Sequence, residues 1–317
     1  MRERDFFFDN AKFFLIILVV LGHSFELTLN RPWVLALYRL IYIFHMPAFI
    51  FICGYFAKSN KRPKIGYLFI LYIFFQVLFT YYNNLLVNGE VHWLGVNFAI
   101  PFHVLWFLIA LIVWRMVTPY VSTYNPLIVI PFTVFVALLA GFDVSLGYVA
   151  SLSRIIVLFP FFLLGRFADK KYIEKFKRPF MYATACLLFA GSFLVLRFAF
   201  HGDAFTTLLY HSTAYSAAGF SPWTGFLIRL GIFIWAFVSG LAFFIFIPER
   251  RLPIINVLGE GTLLVFLVHD FFILFFKRFN ITQNFNAPQM FLFFAGVVAF
   301  TVVLLSLTFL SKRNKVN

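Results

Sequence analysis

Long apolar segments follow one another along almost the whole chain, separated by short polar connections. Each is roughly 17–25 residues long, which is enough for one helix to cross the hydrocarbon core of a bilayer. The pattern predicts an all-α, polytopic membrane protein with about ten transmembrane helices, of which the fifth is the weakest because it is short and contains Pro131. The predicted spans lie near 12–29, 34–57, 66–87, 104–120, 127–141, 152–168, 180–200, 226–247, 261–278 and 288–310.

Composition supports this fold class. The chain is 62% hydrophobic and only 12% charged, with a mean hydropathy of +0.92, whereas about a quarter of the residues in a soluble domain are charged. No connection is long enough for a separate soluble domain, so we expect one integral-membrane domain over residues 1–317 with an uncleaved first span. Cys53 and Cys186 lie in apolar runs without metal-ligand spacing, so we expect neither a disulfide scaffold nor a metal site.

The net charge of +14 is distributed as membrane topology requires. Basic residues do not form a continuous patch, so we expect no nucleic-acid partner. Most of them fall in alternate connections and at the termini, and basic connections favour the cytoplasmic side of a membrane. We therefore expect a protein of the cell (plasma) membrane with both termini and these clusters in the cytoplasm. The clusters lie at 2–4, 58–64, 166–178, 250–251 and 312–315. The loops at 88–103 and 201–225 then face outward.

The first span carries ionisable residues along one helical face. Lys12 and His23 are eleven residues apart, and at about 100° per residue this returns to nearly the same side, roughly 16 Å further along the axis. The face continues through Asp9 and Glu26. Glu26 follows His23 by three residues, close enough to fix the imidazole tautomer and raise its basicity, as a general base requires. A catalytic site and a polar stripe that lines a helix contact or transport pathway both remain open.

Other spans contribute further polar residues. Since the first two spans run in opposite directions through a short turn, Arg39 should lie at about the depth of His23, and His45 nearer the cytoplasm. For the candidates in later spans, the alternative is anchoring at the membrane interface or pairing between helices. These later substrate-site candidates are His103 and Trp106 at the outer end of span four, Arg154 in span six, and His269 and Asp270 in span nine.

Five segments, in this order, resemble acyltransferase family 3, the integral-membrane O-acyltransferases, and within it the fucose 4-O-acetylase-like branch. RDFFFDNAKFFLIILVVLGHSF matches the family's Arg/Lys-x10-His signature through Lys12 and His23. The other four segments are FHMPAFIFICGYF at 44–56, LWFL at 105–108, SRIIVLFPFFLLG at 153–165 and LVHD at 267–270. The resemblance covers nearly the whole chain.

The resemblance implies an enzyme that takes an acyl group, commonly acetyl from cytoplasmic acetyl-CoA, and delivers it to a hydroxyl of an extracytoplasmic glycan or cell-envelope polymer. By matching position, His23 would be the catalytic histidine, and His45 and Arg154 would line the site. Lys12 and Asp9 would lie on the acyl-donor side, where a cation suits the phosphates of CoA. Acyl-CoA is then a donor substrate, with no permanently bound cofactor.

Two positions depart from the family pattern. Lys12 stands where many members have arginine, which removes bidentate phosphate geometry, and Cys53 stands where serine is usual. We expect no extracytoplasmic esterase-like domain of the kind that some relatives append, so a second transfer step would need a partner envelope enzyme.

Two other functions remain as alternatives. A transporter or exporter of a glycan or lipid-linked sugar would also use intramembrane histidine, arginine and aspartate, although no inverted repeat is visible. A ligand-sensing or scaffold membrane protein would leave the buried ionisable residues without a purpose.

Overall fold

The structure is a computed structural model that describes residues 6–58, 65–89, 95–259 and 261–313. Parts of the basic clusters used above, at 1–5, 59–64 and 314–317, lie outside the described residues. Over the described ranges the regular secondary structure is entirely helical. The α-helices are α1 Phe6–Phe25, α2 Pro32–Phe56, α3 Ile65–Asn88, α4 Trp106–Val121, α5 Pro126–Leu139, α6 Leu152–Phe167, α7 Lys170–Lys175, α8 Pro179–Phe198, α9 Ala204–Leu209, α10 Pro222–Phe246, α11 Pro253–Leu258, α12 Thr262–Arg278 and α13 Ala287–Arg313.

Eight helical segments among the described residues are long and apolar enough to cross a membrane. They correspond to α1–α4, α6, α8, α10 and α13. The other two predicted spans are also helical, but α5 has 14 residues and α12 has 17. The membrane-protein class is therefore confirmed, while ten crossings and the orientation of the termini stay predictions.

The first helix begins earlier than the sequence pattern predicts. It starts at Phe6, whereas the predicted apolar span starts near residue 12, and Asp9 lies on the helix as the predicted helical face requires. It ends at Phe25, and a 3₁₀ turn over Glu26–Thr28 follows. Asp9 and Lys12 thus belong to the first two turns of α1, and Glu26 lies just beyond its last turn.

The helices group into two compact units. The first unit comprises Met1–Ile41, Phe176–Arg197 and Leu241–Asn317. Here α1 packs against α11, α12 and α13, with Phe7, Phe8 and Leu15 fully buried. The core of this unit therefore surrounds the helix that carries Lys12 and His23.

The second unit comprises Tyr42–Lys175 and Phe198–Gly240. Here α4 packs against α3 and α6, and α6 packs against α5. The indole of the buried Trp114 in α4 donates a hydrogen bond of 2.8 Å to the carbonyl of Ile155 in α6. A backbone carbonyl inside a helix has a spare lone pair, so this bond fixes the register of α4 on α6.

Glycines set a close approach between α2 and α6 in the second unit. A Cβ at Gly54 would overlap the backbone carbonyl of Phe162, and a Cβ at Gly165 would overlap that of Phe51. Small residues at facing positions let two apolar helices pack backbone against backbone. Both glycines lie in the segments that resemble the acyltransferase family, and this contact gives a physical reason for them.

Candidate functional site

His23 and Glu26 form a hydrogen-bonded pair at the end of α1. His23 Nδ1 lies 3.0 Å from Glu26 Oε1, the contact expected from their spacing. A carboxylate only accepts, so the imidazole proton is assigned to Nδ1, and Nε2 is the basic nitrogen of the neutral ring. The side chains are 14% and 19% exposed, so the pair is largely removed from water yet still accessible. This is the arrangement of a general base with an orienting carboxylate.

Residues of α2 lie beside this pair in the first unit. The buried Tyr38 hydroxyl donates a long bond of 3.4 Å to Glu26 Oε1, which therefore accepts from both Tyr38 and His23. Arg39, the next residue, is 1% exposed. Its depth in the membrane and its role in substrate binding stay predictions.

The histidine of α12 contacts the histidine of α1. The ring centroids of His23 and His269 are 5.3 Å apart, so the structure brings together two candidates separated widely in sequence. His269 Nδ1 donates a 3.0 Å hydrogen bond to the carbonyl of Val265, which fixes its ring orientation. Asp270 follows and is fully buried.

An apolar cavity borders His269 in the first unit. Its volume is about 20 Å³, little more than one water molecule needs, and it is partly open to the outside. Besides His269, only Thr301 brings a polar side chain to its wall. The lining residues are Val20, His269, Phe272, Ile273, Phe276, Val297, Phe300, Thr301 and Leu304. The wall of this small space is thus almost entirely apolar.

Lys12 and Asp9 form an ion pair at the start of α1, with Nζ and Oδ1 2.9 Å apart. The lysine side chain is 23% exposed and the aspartate 10%. The two residues proposed for the donor side thus contact each other, and the carboxylate holds the ammonium group in place. The same carboxylate also reduces the net charge that Lys12 offers to a phosphate.

A buried amide network, absent from the sequence expectations, ties this end of α1 to the segment 248–256. The Asn10 amide donates to the carbonyls of Pro248 at 2.8 Å and Arg250 at 3.2 Å. Asn256 donates to Asn10 Oδ1 at 2.8 Å and to the carbonyl of Phe6 at 3.2 Å. The network therefore fixes the exposed, basic Arg250 segment close to the turn of α1 that precedes Lys12.

In the second unit, Arg154 of α6 lies among aromatic residues. Its guanidinium carbon is 5.1 Å from the ring centre of Trp106 and 5.6 Å from that of Tyr148. Its Nε donates a 3.0 Å bond to the carbonyl of Tyr210. Two of the predicted candidates, Trp106 and Arg154, are thus neighbours, joined by a cation–π contact.

His45 belongs to the same region, together with a histidine that the sequence analysis did not select. His45 is 2% exposed and packs edge-on against Tyr42, which in turn contacts Tyr210. Burial is the main reason that the pKa of His211 falls from 6.5 to about 3. Positive charge on Arg229, Arg154 and His45 lowers this pKa further. The second unit therefore gathers a cluster of basic side chains around His211.

His103 stands apart from that cluster by its exposure. It begins a 3₁₀ turn with φ of 29°, and its side chain is exposed. The loop before it is nevertheless fixed by hydrogen bonds. The buried Gln76 amide donates to the carbonyls of Asn97 and Ile100, and its oxygen accepts from the Phe102 amide. This leaves the anchoring and substrate-site interpretations of His103 both open.

Comparison with known proteins agrees with the resemblance read from the segments. The family model of the acyltransferase domain, Acyl_transf_3, matches residues 5–310. The chain is 44% identical over 63 residues to the nodulation protein NolL of Sinorhizobium fredii, covering 19% of this chain and 17% of that protein. It is 36% identical over 67 residues to NolL of Mesorhizobium japonicum, covering 20% and 18%.

The similarity to these curated relatives thus spans less than a fifth of their length. No solved structure matches the chain. The family model, in contrast, covers nearly all of the sequence and includes both α1 with His23 and α12 with His269. The chain belongs to acyltransferase family 3.

Proposed function

We propose that this protein is a multi-pass O-acyltransferase of the cell membrane. It transfers an acyl group, acetyl from cytoplasmic acetyl-CoA, to a hydroxyl of an extracytoplasmic glycan or cell-envelope polymer, and its chain acts as one acyltransferase domain. The fucose 4-O-acetylase-like branch remains part of this proposal. The observation that carries it is the His23–Glu26 pair on the membrane-spanning helix α1, within a family match of nearly full length.

The chemistry follows from the assigned tautomer. Nε2 of His23 accepts the proton of the acceptor hydroxyl while the hydroxyl oxygen attacks the thioester carbonyl carbon. A carbon–oxygen bond forms, the carbon–sulfur bond breaks, and the imidazolium returns its proton to the leaving CoA thiolate. The carboxylate of Glu26 stabilises the imidazolium that forms between these steps. In a second route, Nε2 attacks the thioester itself and then passes the acyl group to the hydroxyl.

The donor end of this path is assigned to the start of α1. CoA carries several phosphate charges, and the basic groups near that end include Lys12, Lys177 and the exposed Arg250 and Arg251. Arg251 also lies over the ring of Phe6, 5.9 Å from its centre, so it is held against the first turn of α1. A cationic inner end and a histidine roughly 16 Å along the axis suit a long pantetheine arm.

Two measurements on the purified full chain test the proposal. Labelled acetyl-CoA should bind saturably, and in vesicles its label should appear in an added glycan as an ester. Binding with ester formation supports acyl transfer. A protein that moves labelled glycan across the vesicle membrane but does not bind acetyl-CoA would instead be the exporter considered above.

A further inference from the structure

Arg229 of α10 is a fully buried cation. Its Nη2 donates a 2.9 Å bond to the carbonyl of Thr213, and its guanidinium carbon lies 4.6 Å from the ring centre of Tyr215. Its Nε and Nη1 have no hydrogen-bond partner, and no carboxylate pairs with it, within the part of the chain that the structure describes. A guanidinium in such a place requires a compensating anion or polar ligand.

The neighbouring loop presents more unused polar groups. Both ring nitrogens of His211 and the hydroxyl of Ser212 are buried and lack partners among the described residues. His211 has a left-handed backbone with φ of 56°, and its carbonyl accepts a 2.8 Å bond from the hydroxyl of Ser153. The fold therefore holds an unfavourable backbone conformation in place and directs two polar side chains into the interior.

The charge at this place is positive. Burial and nearby cations hold the pKa of His211 at about 3, so its ring is neutral at pH 7 and offers one N–H donor. Arg154 is close enough to contribute to that effect, and its guanidinium is held by the Tyr210 carbonyl. A guanidinium fork, a hydroxyl and an imidazole N–H are the donors that a carboxylate or phosphate accepts from.

We propose that Arg229, His211 and Ser212 form a binding site for an anionic oxygen group, a carboxylate or a phosphate, carried by the acyl acceptor. The assignment to the acceptor rests on the proposed function, because the loop 201–225 faces outward in the orientation predicted from the basic residues. The acceptor is thus an acidic glycan or a phosphate-linked one. Arg229 donates to two oxygens of the anion, and His211 and Ser212 donate to the acceptor positions of these oxygens that Arg229 leaves unused.

Binding of small probes to the purified full chain tests the site without any turnover. Methyl glucuronide and methyl phosphate are titrated while the Tm is followed, with neutral methyl glucoside as the matched control. We expect at least one anion to raise the Tm saturably and the glucoside to have no effect. If neither anion raises the Tm, there is no such site.

Variants separate an anion site from a purely structural arginine. Arg229→Gln should weaken anion binding roughly 10- to 100-fold, the range expected for hydrogen bonds to a charged group. Ser212→Ala keeps the cation and the Thr213 bond, and should weaken binding several-fold with an unchanged Tm in the absence of anion. The exposed Arg278→Gln serves as the control. Unchanged anion affinity in Ser212→Ala, together with an Arg229→Gln protein that only unfolds earlier, overturns the proposal.

A last measurement distinguishes the acceptor from CoA as the source of the anion. The Kd for acetyl-CoA should be the same in Ser212→Ala, in Arg229→Gln and in the unaltered protein. A tenfold weaker acetyl-CoA affinity in both variants would assign the site to the donor and contradict the acceptor assignment. If the unaltered protein shows no acyl transfer, the proposed function is refuted, while the anion-binding result still stands.

Discussion

Nδ1 of His23 and Oε1 of Glu26 lie 3.0 Å apart, across the junction between helix α1 and the 3₁₀ turn that follows it. The carboxylate thereby assigns the ring proton to Nδ1 and directs the basic Nε2 away from the pair. The pair belongs to a segment, Phe6–Thr28, that is long and apolar enough to cross a membrane, and ionisable groups in such segments are expensive and therefore indicative of function.

Glu26→Gln removes the charge that orients and stabilises the His23 ring. We expect the acyl-transfer rate to fall roughly 10- to 100-fold, part of the 10²–10⁴-fold that general acid–base catalysis supplies. Steady-state kinetics should show the loss in kcat, with KM for acetyl-CoA unchanged. Tyr38→Phe is the matched control, because its 3.4 Å bond to the same oxygen is long and its loss should change the rate less than about threefold. A Glu26→Gln enzyme with full kcat would remove the carboxylate from the mechanism.

Lys12→Ala removes the cation assigned to the donor. We expect KM for acetyl-CoA to rise about 5- to 10-fold with little change in kcat, because a partly exposed charge contributes about 1 kcal/mol. Lys12→Arg should restore or improve the affinity, since a guanidinium binds phosphate bidentately. The exposed Lys277→Ala is the control for a general loss of positive charge. Equal KM values for Lys12→Ala and the unaltered protein would place the CoA phosphates elsewhere.

Asn256→Ala breaks the buried amide network at the start of α1. The free energy of unfolding should fall by roughly 1–3 kcal/mol, because Asn10 Oδ1 and the Phe6 carbonyl would lose a donor in a buried place. Thermal unfolding of the detergent-solubilised protein measures this change. Gln283→Ala, at an exposed position, should leave the Tm within error. Equal Tm values for Asn256→Ala and Gln283→Ala would show that the amide network does not stabilise the fold.

Gly54→Ala tests the close approach of α2 and α6. The added methyl would overlap the Phe162 carbonyl, and relieving that overlap should lower the free energy of unfolding by about 1–3 kcal/mol. Gly191→Ala, in α8, meets no atom within 4 Å and should leave stability unchanged or raise it by up to about 1 kcal/mol. If Gly54→Ala were tolerated as well as Gly191→Ala, the two helices would not pack backbone to backbone.

Local sequence patterns predicted much of this architecture. Apolar length alone located a helix at each predicted span, because a membrane helix must be long and apolar. The three-residue spacing of His23 and Glu26 likewise predicted their contact. The short helices α7, α9 and α11 went unpredicted, since six-residue segments carry too little periodicity to recognise.

Relationships between distant segments could not be predicted in the same way. No sequence motif marks Asn10 or Asn256 as a structural residue. They become hydrogen-bond partners only because α1 packs against α11. His211 lies in the loop predicted to face outward, and no motif around it distinguishes it from other loop histidines. Its burial depends on a left-handed turn and on the bond between the Ser153 hydroxyl and its carbonyl, neither of which leaves a sequence signal.

The central claim is that His23 is the proton acceptor for acyl transfer. Vesicles containing the full chain are supplied with acetyl-CoA labelled in its acetyl group on one side and a glycan acceptor on the other. Ester-linked label in the glycan is then measured for His23→Gln and for the exposed control His201→Gln. We predict that His23→Gln loses at least about 100-fold in initial rate, as expected when general base catalysis is removed, while His201→Gln remains fully active. Equal rates for His23→Gln and the unaltered protein would contradict the account.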